Sequence, residues 1–337
     1  MKKTRFFKLS AIILTFALML SACSGPSNET DADGQTNGSL ENETVEIIDL
    51  HGSVTVPVNP KNVVALDNRT FETLSDWGIA LAAAPKEVMP ADSPYVKDEA
   101  VQNIGNHREP NLEIIAAVDP ELVIIGQRFA NFYDDIKKLV PHAAVIDLNF
   151  DVSEVADTPG ENLINGLKDS TVILGKIFDK NKEAEQLISD FDLAIENAKS
   201  SYNKTDTVMS VIVSGGDIGF SAPGHGRVWG PMYPIFEWVP ALEVNSSSSN
   251  HQGDDISVEA IAQSNPDWLF VFDRDASVSS VADAKPAQDV INNSPALQNT
   301  TALISGQIVY APDDIYVNES IQTYLELFDD IAKALAK

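Results

Sequence analysis

Arg128 and Arg274 are placed where side chains can do chemistry. Each stands just beyond a short continuous apolar run, Leu122–Ile125 in one case and Trp268–Phe272 in the other. A guanidinium is always charged and offers a fork of donors, so its work is the capture of deprotonated oxygens, not proton transfer. The surroundings of the two arginines match at a constant offset of 146: residues 110–128 and 256–274 align without a gap, pairing Glu113 with Glu259, Pro120 with Pro266 and Arg128 with Arg274. Each unit reads as helix, Pro-acid turn, buried strand, then arginine. In open α/β sheets, ligands bind at the carboxyl ends of the strands. Two lobes with these ends facing each other would form a cleft with an arginine on each wall. The competing reading is two common helix–Pro–strand units with solvated arginines.

Stepping along the chain, Val45–Leu50, Ser53–Val56 and Asn62–Leu66 are short β-rich runs, Thr70–Trp77 is helical in pattern up to Gly78, and Leu112–Val118 is an apolar-periodic helix closed by Asp119-Pro120. Strands alternating with helices predict an α/β fold with mainly parallel sheets. Residues 162–202 read as one long, mostly helical stretch, with Leu187, Phe191 and Ile195 on one face. A second α/β pattern follows: strand Val208–Val213, an irregular Gly-rich stretch 214–230, helix Ala260–Gln263, strand Trp268–Phe272, strand Gln307–Tyr310 and a closing helix from about Glu319 to Leu335. The expected organisation is an N-terminal lobe over 44–180, an interdomain helix over 181–203 and a C-terminal lobe over 204–337.

Composition narrows the partners. Fifty acidic against 23 basic side chains leave a formal charge of −27 over 337 residues, which disfavours nucleic acid and anionic lipid as binding surfaces. One cysteine excludes an intrachain disulfide and any multi-Cys metal site. That cysteine ends a secretory pattern. Lys2, Lys3, Arg5 and Lys8 precede an apolar run, Ala11–Leu20, that is too short to span a bilayer. Leu20-Ser21-Ala22-Cys23 resembles the bacterial lipobox, which implies a signal peptide over 1–22 and lipid attachment at Cys23. Ser24 to about Asn42 is nearly free of apolar residues and reads as a flexible tether over 23–43.

Enzyme motifs are missing. Gly219-Phe220-Ser221-Ala222-Pro223 is not a nucleophile elbow, Gly224-His225-Gly226-Arg227-Val228-Trp229-Gly230 has the wrong glycine spacing for a dinucleotide site, and there is no P-loop. Five scattered histidines argue against a direct Zn or Mn site.

The chain resembles the iron-siderophore substrate-binding lipoproteins of ABC importers, above all their petrobactin and ferric-catecholate binders. The likeness runs from about Val45 to the C-terminus. It is carried by Pro57-Val58-Asn59-Pro60-Lys61-Asn62-Val63-Val64, by the Pro-Asn-Leu-Glu and Asn-Pro-Asp-Trp-Leu-Phe-Val-Phe-Asp-Arg segments, and by Ser221-Ala222-Pro223-Gly224 running into Gly226-Arg227. It implies two Rossmann-like lobes joined by a single long backbone helix, with the ligand cleft between them. It further implies a monomeric binding protein, not an enzyme, lipid-anchored at the outer face of the cell membrane, with an anionic ferric siderophore as transported ligand and no cofactor. The partner would be an ABC permease dimer with its ATPase. The subgroup's three cleft arginines map onto Arg128, Arg227 and Arg274, and a cleft histidine onto His251, which otherwise reads as a solvated loop residue. Its permease-docking glutamates map onto Glu113 and Glu259, with Glu109 as an alternative to the first; otherwise these are solvated helix acids.

Beyond the resemblance, Tyr316, Trp229, Phe129 and Tyr133 are candidates to stack on an aromatic ligand, against a reading as core. Arg69 and Lys86 follow first-lobe strands and would add charge. His225 is a weaker candidate, and His51, His107 and His142 read as structural or exposed. Where some relatives carry a glycine-rich run, this chain shows Val317-Asn318-Glu319. A haem binder of the same fold is the alternative, with a Tyr or His axial ligand.

Overall fold

The computed structural model describes residues 43–153, 155–244, 248–278 and 284–336. The signal segment, Cys23 and nearly all of the tether lie outside these residues. The chain enters through an antiparallel hairpin, β1 (Thr44–Asp49) and β2 (Gly52–Pro57), turned at Gly52 with φ +118°. Five parallel strands follow: β3 (Val63–Ala65), β4 (Leu81–Ala84), β5 (Gln102–Asn103), β6 (Leu122–Ile125) and β7 (Ala144–Asp147), in spatial order β5-β4-β3-β6-β7. The second sheet holds β8 (Thr207–Ser214), β9 (Asp217–Phe220), β10 (Val239–Pro240), β11 (Trp268–Asp273) and β12 (Ile308–Tyr310). Its parallel order is β10-β8-β11-β12, with β9 antiparallel on β8. The stretch expected to be irregular over 214–230 thus contains a strand.

Continuous apolar strands arise because both faces of each sheet are covered. In β6, Leu122 and Ile124 join one core while Val123 and Ile125 join another. In β11, Phe270 and Phe272 go one way, Leu269 and Val271 the other.

Two helices occupy the stretch expected to be one. Helix Pro159–Ile177 starts in the second lobe's core with Leu163 and Leu167 and ends in the first lobe's core with Leu174 and Ile177. At 19 residues it is about 28 Å long, and it joins the lobes. The chain then turns at Asp179, φ +52°. Gly175 permits the turn, since a Cβ there would lie 2.8 Å from the Cβ of Ala184. The next helix, Asn181–Ser201, packs in the second lobe, stacking Phe191 on Phe328 of the closing helix Ile321–Leu335 at 5.5 Å. The joining role expected of 181–203 therefore belongs to the preceding helix, because apolar residues of only that one reach both cores.

The repeat is a structural repeat. Helix Leu112–Ala117 is capped by Asn111, and helix Val258–Ser264 by Ser257. Both end through a left-handed residue, Asp119 and Asn265, each at φ +47°. Asp and Asn are among the residues that tolerate that conformation. Each helix then leads into an inner strand of its sheet, β6 or β11.

A candidate binding cleft at the facing strand ends

Loops at the carboxyl ends of both sheets meet across the lobe boundary. Arg128 follows β6, Arg274 follows β11, and Arg227 lies in the loop after β9. All three guanidinium groups surround the ring of Tyr316, at 5.4 Å for Arg128, 5.3 Å for Arg274 and 5.1 Å for Arg227. These are cation–π distances. They put the three charges within twice that distance of one another, although the residues span nearly 150 positions of sequence.

Each arginine is held differently. Arg128 donates through Nη2 to the main-chain oxygen of Tyr316 at 2.7 Å, from the opposite lobe. Arg274 Nη1 donates to Ser214 Oγ at 3.2 Å and lies 3.7 Å from Asp275 Oδ1. Arg227 is paired with Glu319. The Nε–H groups of Arg128 and Arg274 are buried with no acceptor among the described residues. Arg227 is presented by a strained loop: Val228, β-branched and buried, sits at φ +64°, a costly conformation that persists only where surrounding structure imposes it. Here Ser221 Oγ donates to the Arg227 oxygen at 3.0 Å, as does the Trp229 amide at 2.8 Å.

Arg69 and Glu319 lie beneath this cluster. Arg69 follows β3, is 4% exposed, and lays its guanidinium 3.7 Å from the centre of the Phe150 ring. It donates to Asn149 Oδ1 and to the Phe150 oxygen, both at 3.3 Å, and reaches Glu319 Oε2 at 3.5 Å. Burial alone would push the Glu319 carboxyl up, but Arg227, Arg69 and Arg128 together hold it below the ordinary carboxylate range. Asp67 behaves oppositely: burial pushes it up to about 6, only partly offset by Arg69. Its tight seat requires Gly126, where a Cβ would lie 2.2 Å from Asp67 Cγ. Both amide atoms of neighbouring Asn68 are buried without partners among the described residues.

Further bonds tie the lobes together. Glu72 accepts from Asn318 Nδ2 at 2.9 Å and from Ser320 Oγ, while Gln322 bonds Thr73 at 2.9 Å and Asp76 at 3.0 Å.

Two histidines border the arginines. His251 is exposed, and its pKa is lowered by partial burial and by Arg274, Arg227 and Arg108. His107 is lowered by partial burial, Arg128 and Arg108. Sequence reasoning read His107 as structural or exposed, gave Glu319 no role of its own, and passed over Arg108 and Asn68. For His107, Arg108 and Asn68 the available signal was position just after β5 or β3.

Lys86, Trp229, Phe129 and Tyr133 lie away from the arginines. Lys86 donates its Nζ to the Asp98 oxygen at 2.7 Å and to the Val96 oxygen at 3.4 Å, fastening a first-lobe loop. Trp229 is fully buried in the second lobe's core, 5.3 Å from Phe270, so it stacks on protein and not in the cleft. Phe129 is likewise core, and Tyr133 stacks on His51 at 3.6 Å. His142 is exposed. His225 lines a cavity of about 60 Å³ beside Arg227, with Gln127 and Val152 from the facing lobe. Glu113, Glu109 and Glu259 are exposed. Glu113 and Glu259 each occupy the first turn of the matched helices. Helices that return antiparallel to their strands begin at the strands' carboxyl ends, the same end of each sheet after which Arg128 and Arg274 follow.

Always-charged guanidiniums, orphan donors and an aromatic platform can bind an oxyanion but cannot shuttle protons. Among the described residues no group of three or more His, Cys, Asp or Glu is placed to hold a metal ion, and no helix is long and apolar enough to cross a membrane.

Two parallel-sheet lobes joined by a long helix, with charged strand ends facing across a cleft, define a solute-binding protein. The chain belongs to the periplasmic binding protein family, whose model matches residues 63–315. It is similar to the petrobactin-binding protein YclQ of Bacillus subtilis, with 29% identity over 90% of each chain. It is also similar to the ferric-anguibactin-binding protein FatB of Vibrio anguillarum, with 27% identity over 84% of each. The crystal structure of YclQ superposes with a TM-score of 0.72 at 26% identity, covering 88% of this chain and 99% of that one.

Proposed function

We propose that this chain is the lipid-anchored extracytoplasmic receptor of an ABC importer and captures an anionic ferric siderophore of catecholate or citrate type, petrobactin-like in its chemistry. The observation that carries the reading is the convergence of Arg128, Arg227 and Arg274 on Tyr316. Catecholates and citrate present several deprotonated oxygens around the metal, and the forked donors match them. Tyr316 supplies a half-buried aromatic face. A relative is named for petrobactin and another for ferric anguibactin, which supports the ligand class.

Iron arrives already chelated, and the protein performs no chemistry on it. Glu113 and Glu259, one on each lobe, address the two halves of the permease dimer, and Cys23 carries the lipid.

The test is a tryptophan-fluorescence titration of the full-length chain in detergent with ferric petrobactin-type chelate, ferric tris-catecholate, ferric citrate, neutral ferric hydroxamate and haem. Saturable quenching at sub-micromolar concentration by an anionic ferric chelate, without response to the hydroxamate, is the expected result. Response to haem alone would replace the ligand and leave the fold.

A further inference from the structure

Three guanidinium groups around one ring repel each other, and the structure supplies counter-charge at two places. Asp275 serves Arg274 from the same strand end. Glu319 is placed differently: it is 6% exposed, contacts Arg227 from its own lobe and Arg69 from the facing lobe, and feels Arg128 as well. Among the described residues it is the one carboxylate in ion-pair contact with arginines of both lobes.

We propose that Glu319 sets the charge selectivity of the cleft, acting as a fixed internal anion that every ligand of Arg227 must share. The inference rests on reading the cleft as a site for anionic ferric chelates. A chelate touching Arg227 is attracted by the arginines and repelled by Glu319, and the repulsion grows with each negative charge on the ligand. Glu319 thereby holds down the advantage of a more highly charged chelate over a less charged one of the same shape. It also lets the arginines stay clustered before any ligand arrives.

The distinguishing probe is one tris-catecholate chelator loaded with Fe(III), giving a trianion, or with Ti(IV), giving a dianion of closely similar shape. Calorimetric titration of the full-length protein at fixed low salt yields the Fe/Ti affinity ratio for the wild type, Glu319→Gln and Glu319→Asp. One unit charge acting on one extra ligand charge at about 8 Å, at an effective dielectric near 20–40, corresponds to roughly fivefold or more. The Fe/Ti ratio is therefore expected to rise at least about fivefold in Glu319→Gln and to stay near the wild-type value in Glu319→Asp. A merely structural glutamate would weaken both chelates equally, so an unchanged ratio in Glu319→Gln overturns the proposal. Glu319→Ser, which leaves room for water between Arg69 and Arg227, is the second variant if glutamine disturbs folding, as judged by the melting curve. Binding of neither chelate by the wild type would overturn the functional reading itself, and this inference with it.

Discussion

Arg69 Nε lies 3.5 Å from Glu319 Oε2 across the lobe boundary, and both side chains are under a tenth exposed. This pair connects the end of β3 to the start of the closing helix and, through the other Glu319 oxygen, to Arg227. Arg69 and Arg227 are therefore part of the scaffold that joins the lobes, and their substitution has consequences for stability.

Arg227→Ala is expected to weaken binding of an anionic ferric chelate at least about tenfold, the value of one charge-assisted bond. It should also lower stability by about 3 kcal/mol, because it strips the closest partner from a buried carboxylate. Arg128 is in ion-pair contact with no carboxylate among the described residues, and its loss removes the bond to the Tyr316 oxygen and the contact with that ring. Arg128→Ala should therefore match the affinity loss at a stability cost of about 1 kcal/mol. Calorimetric binding beside thermal melts separates the two; equal destabilisation would refute the Arg227–Glu319 coupling.

Asp67 makes stability depend on pH with a definite sign. Its folded pKa is raised to about 6, against about 3.9 when unfolded, so the folded chain binds this proton more tightly. As pH falls through 6 toward 4, this group adds stability; above 6 that contribution is absent. Asp67→Asn, which mimics the protonated acid, should stabilise the protein by about 1–3 kcal/mol at pH 7. The gain should vanish near pH 4. Denaturant melts across that window check it, and a gain that does not vary with pH would point to packing instead.

His251 should titrate below the ordinary histidine value near 6.5, because partial burial and the Arg274 and Arg227 charges disfavour its imidazolium. Removing Arg274 should move the midpoint upward. Proton NMR of the ring in the wild type and in Arg274→Ala measures this, and no movement would place the ring outside the arginine field.

The Glu113→Ala/Glu259→Ala double variant should bind ferric chelate as the wild type does and fail to support uptake in cells. Both side chains are exposed at the first turn of matched helices, so folding should be untouched. Normal uptake would remove them from the docking surface.

What the sequence determined by itself is what local order encodes. The helix–turn–strand–arginine units were legible because their spacing is internal to some twenty residues, and the offset of 146 reappears as paired left-handed residues at Asp119 and Asn265. The run of apolar residues in β6 and β11 declared sheets covered on both faces. What only the tertiary structure decided is which residues share a neighbourhood. Arg69 and Glu319 are 250 positions apart, and no local pattern marks either as the other's counter-ion. Trp229 and Tyr316 read alike as aromatics near charged loops, yet one fills the core and the other faces three arginines. The helical stretch 162–202 shows no break in its composition. Its division at Asp179 follows from the close crossing of Gly175 and Ala184, a contact that exists only once the two helices have packed. Pair energies between distant groups depend on separation in space, and separation along the chain does not report it.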